Sequence, residues 1–303
     1  VLKATLVATI ALLANSLAVT PVRAVAASET ATYDPVAGTY SYSYTYNLTY
    51  PTSSDIPNWT SGWGASGVTG WNYVGSTNNA SSVYLGDGYV LTAAHVGAGN
   101  FLLDGQTYDA IGGSAESFGT ADLTLFKIDT TSTTGTLLDL PALTLQTTTP
   151  AVGSSVVMIG YGNGVGEAWA LNTISENNQS VSLDNTPYTS TDFSTADSFQ
   201  EVGGDPDVSM TTDGQLVPGD SGGATFIYNS STHEWELAGI NEVLLEDDSD
   251  YDKIDGSGMI QLSDYASSIE ADMVPEPPAW PLVLGSVALL AGTREVRRRG
   301  LSL

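Results

Sequence analysis

Ser82-Val83-Tyr84-Leu85-Gly86-Asp87-Gly88-Tyr89-Val90-Leu91-Thr92-Ala93-Ala94-His95-Val96 holds two short β-type runs, joined by a turn and closed by a histidine. β-Branched and aromatic residues dominate both runs, and Gly86-Asp87-Gly88 supplies the positive φ that a tight hairpin demands. The same pattern continues downstream, where Leu123 to Ile128, Ser155 to Ile159, Ala224 to Tyr228 and Leu237 to Val243 are further short runs separated by Gly, Asn, Asp and Pro. Turn-punctuated short strands predict an all-β sandwich or barrel. One helix is expected in the body, capped by Ser263 and carrying Tyr265 and Ile269 on one stripe, with Pro275, Pro277 and Pro278 ending it.

Upstream of the hairpin, Tyr40, Tyr42, Tyr44 and Tyr46 alternate with Ser41, Ser43 and Thr45. Period two puts the four rings on one face of a strand, packed on its neighbours or presented to carbohydrate.

Charge and cysteine content narrow the function classes. Between Ala27 and Met273 lie 32 of the chain's 34 acids and only two bases, Lys127 and Lys253, a net charge of about −30. A surface of that sign repels phosphate backbones and anionic lipid headgroups, which excludes nucleic acid as a partner. With no cysteine, neither a disulfide nor a thiolate nucleophile is available.

Both ends read as addresses. Lys3, the apolar run Ala4 to Val19, and the small-x-small site Ala24-Val25-Ala26 have the layout of a secretory signal peptide, residues 1–26. At the other end, residues 274–303 open with Val274-Pro275-Glu276-Pro277, continue as an apolar stretch from Ala279 to Gly292, and finish in Arg294, Arg297, Arg298 and Arg299. This tail resembles the PEP-CTERM sorting signal, which implies a bacterial exported protein bound for the cell surface or extracellular matrix, and processing by an exosortase-type transpeptidase. A helix over Ala279 to Gly292 would span roughly 20 Å against a hydrocarbon core of ~30 Å, so the expected membrane association is transient.

Leu91-Thr92-Ala93-Ala94-His95-Val96, Ala121-Asp122-Leu123-Thr124-Leu125 and Gly219-Asp220-Ser221-Gly222-Gly223 occur in that order. Together they resemble the three motifs of the trypsin/chymotrypsin-like serine protease family. The resemblance extends over roughly Gly70 to Met273, takes in Gly160-Tyr161-Gly162, and gives a protease domain of residues 67–273 behind a Tyr/Ser-rich segment of residues 27–66. It implies two antiparallel six-stranded β-barrels with a short C-terminal helix, and a serine endopeptidase acting on proteins or peptides without a cofactor.

A serine hydroxyl needs a base that takes its proton as it attacks, and an imidazole with an ordinary pKa near ~6.5 suits the task. The resemblance makes His95 the base, Asp122 its orienting partner, Ser221 the nucleophile, and the N–H groups of Gly219 and Ser221 the oxyanion hole. His233, in the polar stretch Asn229 to Glu234, is expected in a loop. Gln215 and Glu242 stand where the family lines its primary specificity pocket. No Ile-Val-Gly-Gly start precedes His95, so the partner of Asp220 is open. Asp248, Asp250 and Asp252 alternate as weak calcium ligands would, a solvated acidic loop being the simpler reading. The other function class consistent with these residues is a non-catalytic matrix or adhesion protein that keeps the protease fold.

Overall fold

The computed structural model describes residues 25–131, 140–161, 166–183, 185–196, 200–202, 205–211, 213–247 and 250–274. The signal peptide and the tail lie outside them, apart from Val25, Ala26 and Val274. The chain divides into a unit of residues 1–267 and a second of residues 268–303, of which 268–274 are described.

Three antiparallel sheets make up the first unit. β1 (Ala26–Asp34) and β2 (Thr39–Tyr46) form an N-terminal hairpin, extended across β1 by β14 (Asp205–Thr211) and β13 (Gln200–Val202) in the order β13-β14-β1-β2. The alternating tyrosines lie on β2, with Tyr42 and Tyr44 stacked at 6.5 Å between ring centroids.

The second sheet begins with β3 (Val74–Thr77) and the decisive hairpin, β4 (Ala80–Gly86) and β5 (Tyr89–Ala93). β6 (Phe101–Leu103), β7 (Gln106–Tyr108), β8 (Glu116–Ser117) and β9 (Leu123–Lys127) complete it in the order β7-β6-β3-β4-β5-β9-β8. Val83 pairs with Leu91, and Gly86, Asp87 and Gly88 all adopt positive φ, as the turn requires. Every residue of β5 is buried, so its run carries no charge and does not alternate, and the one hydroxyl in its interior, on Thr92, donates to the Ser81 carbonyl.

Six strands close the third sheet into a barrel in the order β10-β11-β12-β17-β16-β15. They are β10 (Ser155–Gly160), β11 (Ala168–Ser182), β12 (Thr189–Ala196), β15 (Ala224–Asn229), β16 (Glu234–Asp247) and β17 (Asp250–Gln261). Val25, Val156, Met158, Ile174, Phe193, Leu216, Ala238 and Met259 fill its core.

The expected all-β class and the six-stranded second barrel are present. The first sheet departs from the expectation: it has seven strands in an open order, and the chain just after its edge strand β7 meets the chain just after β9 at the isolated bridge between Ala110 and Ile128. After that bridge the chain turns at Ile111 to Ser114 with Gly113 in positive φ, so the ladder cannot propagate. The expected helix also starts later. Ser263 lies in a 3-10 turn, Leu262–Asp264, in which the Asp264 carboxylate accepts from Gln261, and the α-helix α1 runs over Ala266–Met273.

Residues 50–73 fasten the N-terminal segment to the barrel through aromatic rings. Trp59 meets Trp63 and Trp235 edge-on, each at 5.0 Å between centroids, and Trp63 meets Phe226 edge-on at 5.1 Å. The Trp235 indole N–H donates to the Asn58 carbonyl at 3.1 Å. Gly70 packs so closely that a Cβ there would come within 2.7 Å of Phe226 and 2.8 Å of Trp63. Truncation of a buried indole costs about 3–5 kcal/mol. Trp235→Ala is therefore expected to lower the urea unfolding midpoint by an amount corresponding to at least about 3 kcal/mol, with an unchanged m-value.

Candidate active site

The pairing of β5 with β9 places the first two candidate residues. Ala93 pairs with Leu123, so the residues just beyond the ladder, His95 and Asp122, emerge side by side. The Ala94 N–H donates to the Asp122 carbonyl at 3.0 Å and the His95 N–H to Asp122 Oδ1 at 2.7 Å. The His95 ring hydrogen-bonds through Nδ1 to Asp122 Oδ2. Asp122 is fully buried, whereas the His95 side chain keeps 30% of its surface exposed. With Nδ1–H donating to a carboxylate, Nε2 is the basic nitrogen left to take a proton.

Ser221 comes from a loop stapled to both sheets. Within the loop, the Asp220 N–H donates to the Val217 carbonyl at 3.1 Å and the Gly223 N–H to the Asp220 carbonyl at 2.9 Å. β16 holds it by Gly222 N–H to Asn241 O at 2.8 Å and Asn241 N–H to Gly223 O at 2.9 Å. From β4, the Ser81 N–H donates to the Ser221 carbonyl at 2.9 Å, and the Ser81 hydroxyl donates to the Gly219 carbonyl at 3.1 Å. Gly222 sits at φ +86 where a Cβ would come within 2.1 Å of both the Ser81 carbonyl and the Thr92 hydroxyl, so only glycine fits. Among the described residues, neither the Gly219 nor the Ser221 N–H has an acceptor in the chain.

A series of hydrogen bonds lies among the three candidates. The Asp122 N–H donates to the Ser190 hydroxyl at 2.9 Å, and that hydroxyl donates to Glu242 Oε1 at 2.8 Å. The Glu242 carbonyl in turn accepts from Ser221 Oγ at 3.3 Å. Among the described residues no hydrogen bond joins the His95 ring to Ser221 Oγ, and the two are linked only indirectly, through the backbone and side chains of Asp122, Ser190 and Glu242.

Asp220 is fully buried and, among the described residues, forms no ion pair. Its Oδ1 accepts from the Val25 N–H at 3.0 Å and its Oδ2 from the Val217 N–H at 2.8 Å. Burial pushes the carboxyl well above its ordinary range, and the two N–H groups oppose that shift. The partner that the sequence left open is therefore a backbone N–H of the N-terminal strand. Val25 and Ala26, assigned by sequence to the leader, are both buried, and Ala26 exchanges hydrogen bonds with Gln215 at 2.9 and 3.0 Å.

The remaining sequence candidates fall as follows. Gln215 is fully buried, and its amide donates to the Glu29 carboxylate of β1, so its side chain is committed inside the protein. Glu242 is buried beside Asp122. His233 occupies the turn between β15 and β16 at φ 59, hydrogen-bonded to the Tyr228 hydroxyl at 3.4 Å, as a loop residue. Asp248 and the side chains of Asp250 and Asp252 lie outside the described residues. Among those described, no group of three or more His, Cys, Asp or Glu is arranged to hold a metal ion. Sequence reasoning missed Ser81, Ser190 and Asp192, which stand in unremarkable polar strand contexts without a motif.

The family model for the trypsin-like peptidase domain matches residues 80–240, a span of just over half the chain that contains His95, Asp122 and Ser221. The chain belongs to this family, and the family is one of peptidases. Among solved structures, it is similar to the Rv3671c protease in an inactive form, at 15% identity over 68% of this chain and 91% of that one, with a TM-score of 0.46. A second inactive form, a serine-to-alanine mutant of Rv3671c from M. tuberculosis, matches at 14% identity over 77% of this chain and 99% of that one, with a TM-score of 0.49. The HtrA-type protease AlgW with a decapeptide matches at 24% identity over 64% of this chain, which spans 51% of that one, with a TM-score of 0.44. No curated protein matches in sequence.

The Val25 contacts generate a prediction. A chain beginning at Ala27 loses a core side chain and one of the two Asp220 donors, which together stabilise by on the order of 3 kcal/mol. It is expected to unfold at a lower temperature than a chain beginning at Val25, as differential scanning calorimetry of the two would show.

Proposed function

We propose that this chain is an exported serine endopeptidase that cleaves peptide bonds through an acyl-enzyme on Ser221. The observation that supports it most directly is the His95 imidazole held by a fully buried Asp122 carboxylate, in a chain whose Ser221 loop leaves the Gly219 and Ser221 N–H groups without an acceptor among the described residues.

In the proposed reaction, Ser221 Oγ attacks the substrate carbonyl as its proton passes to His95 Nε2. For this the hydroxyl leaves the 3.3 Å bond to the Glu242 carbonyl, which lies beyond the usual range for an O–H donor and is easily exchanged. Asp122 fixes the ring with Nδ1–H toward the carboxylate and stabilises the imidazolium that forms. Negative charge developing on the former carbonyl oxygen is received by the N–H groups of Gly219 and Ser221, each worth about 3 kcal/mol in such a role. His95 then returns its proton to the departing amine, and water repeats the sequence on the acyl-enzyme.

The ends of the chain carry the rest of the proposal. The apolar segment that follows Lys3 would direct export, and the tail from Val274 would hold the body at the membrane until an exosortase-type enzyme processed it, releasing the peptidase at the surface or into the matrix of a bacterium. The body's charge leaves proteins and peptides as the substrates, since anionic polymers are repelled.

A fluorophosphonate probe is expected to label the purified chain at Ser221, and Ser221→Ala to abolish that labelling. Labelling that persists in the variant would reject the nucleophile. Asp122→Asn, which leaves the ring in the wrong tautomer, is expected to lower kcat on casein-derived peptides by about 10⁴-fold.

A further inference from the structure

Glu242 sits at a β-bulge. Asn241 pairs with Met259 and Val243 pairs with Gly258, so Glu242 is the extra residue of β16, with no partner on β17. A bulge re-aims the side chain it carries. Here Glu242 Oε1 receives the Ser190 hydroxyl, the same hydroxyl that accepts the Asp122 N–H, and the residue is only 4% exposed. A second carboxyl group is thereby built against the His95–Asp122 pair.

Two carboxyl groups in one buried place repel each other unless something answers them. Glu242 Oε2 and both carboxyl oxygens of Asp192 have no hydrogen-bond donor in the chain, and Asp192 is fully buried on β12 beside Gly258. The Asp192 and Glu242 carboxyl groups lie near enough to act on each other's charge. Two such groups can share a hydrogen bond only if one of them carries a proton. Asp192 is the better holder: burial and the neighbouring Glu242 push its carboxyl up to about 10, whereas Glu242, also raised by burial, has the Ser190 hydroxyl and the attraction of His95 to favour its charged form. The titratable groups facing Glu242 are Asp192, Asp122 and His95.

We propose that Glu242 is a second anionic positioning residue of the catalytic histidine, kept ionised by a neutral Asp192 that donates its proton to Oε2, so that His95 works against two negative charges and not one. This deepens the peptidase reading and rests on it for its catalytic meaning. The electrostatic effect has a definite sign. A second negative charge stabilises the imidazolium, so its removal lets His95 lose its proton at lower pH, and the base form required for attack then persists to lower pH.

The test uses the two histidines as reporters, with His233 in its turn as the internal reference. In full-length chain carrying Ser221→Ala, with ¹³C-labelled histidine, the Cε1–H resonance of His95 is titrated by NMR. Glu242→Gln is expected to lower the His95 midpoint by on the order of one pH unit while His233 stays put. Asp192→Asn, which offers the same donor without a titrating proton, is expected to leave both midpoints in place. In the chain with Ser221 intact, the acid limb of kcat/KM is expected to move down with the Glu242→Gln midpoint and to stay with Asp192→Asn.

An unmoved His95 midpoint in Glu242→Gln, or an equal drop in Asp192→Asn, would overturn the proposal. If Glu242→Gln does not fold, the double variant D192N/E242Q, uncharged and amide-paired at both positions, must show the same drop. The NMR titration needs no turnover, so a chain that fails to cleave peptides would sink the peptidase reading and leave this result standing.

Discussion

A carboxyl group removed from water must find a donor or keep its proton, and this chain has almost no cations to offer. Two lysines serve 32 acids in the body, and Lys127 is spent over the Tyr89 ring at 4.8 Å. Among the described residues, the buried acids Asp122, Asp220 and Glu29 are answered without a Lys or Arg. Asp122 takes a backbone N–H and the His95 ring, Asp220 takes two backbone N–H groups, and Glu29 takes the Gln215 amide. Burial pushes the Asp192 carboxyl up, toward its neutral form. The geometry of the active site is the geometry of those answers, because a buried carboxylate holds its donors more firmly than a solvated one.

The two larger sheets contribute unequal parts of that geometry. Pairing of β5 with β9 aligns His95 with Asp122 by register alone. The barrel supplies the Ser221 loop through β16 and the Ser190 bridge through β12, and Ser81 of β4 stitches the loop back to the first sheet. The N-terminal strand closes the arrangement from behind: Val25 is at once a core side chain of the barrel and the N–H donor to Asp220, next to the nucleophile. Loop order at Ser221 is thus coupled to the folding of a segment nearly two hundred residues away in sequence.

Bulge, bridge and hairpin also show how one position can change meaning. By order along the chain Glu242 belongs to the wall of a specificity pocket; by the register of β16 on β17 it is turned into the company of Asp122. Gln215, placed by the same counting at the base of that pocket, is claimed by Glu29. Counting along the chain places a residue in sequence only; the partner of its side chain depends on strand register, which the bulge between Asn241 and Val243 sets for Glu242.

By itself the sequence determined the elements whose cause is local. The Gly86-Asp87-Gly88 turn, the apolar strand runs and the His95, Asp122 and Ser221 motifs are each written in a few adjacent residues, because turn dihedrals, strand period and nucleophile chemistry act over that range. Only the tertiary structure decided that Val25 answers Asp220 and that Ser190 bridges Asp122 to Glu242. Those contacts depend on burial and on pairing between residues 52 to 195 positions apart, and neither quantity exists until the sheets have closed.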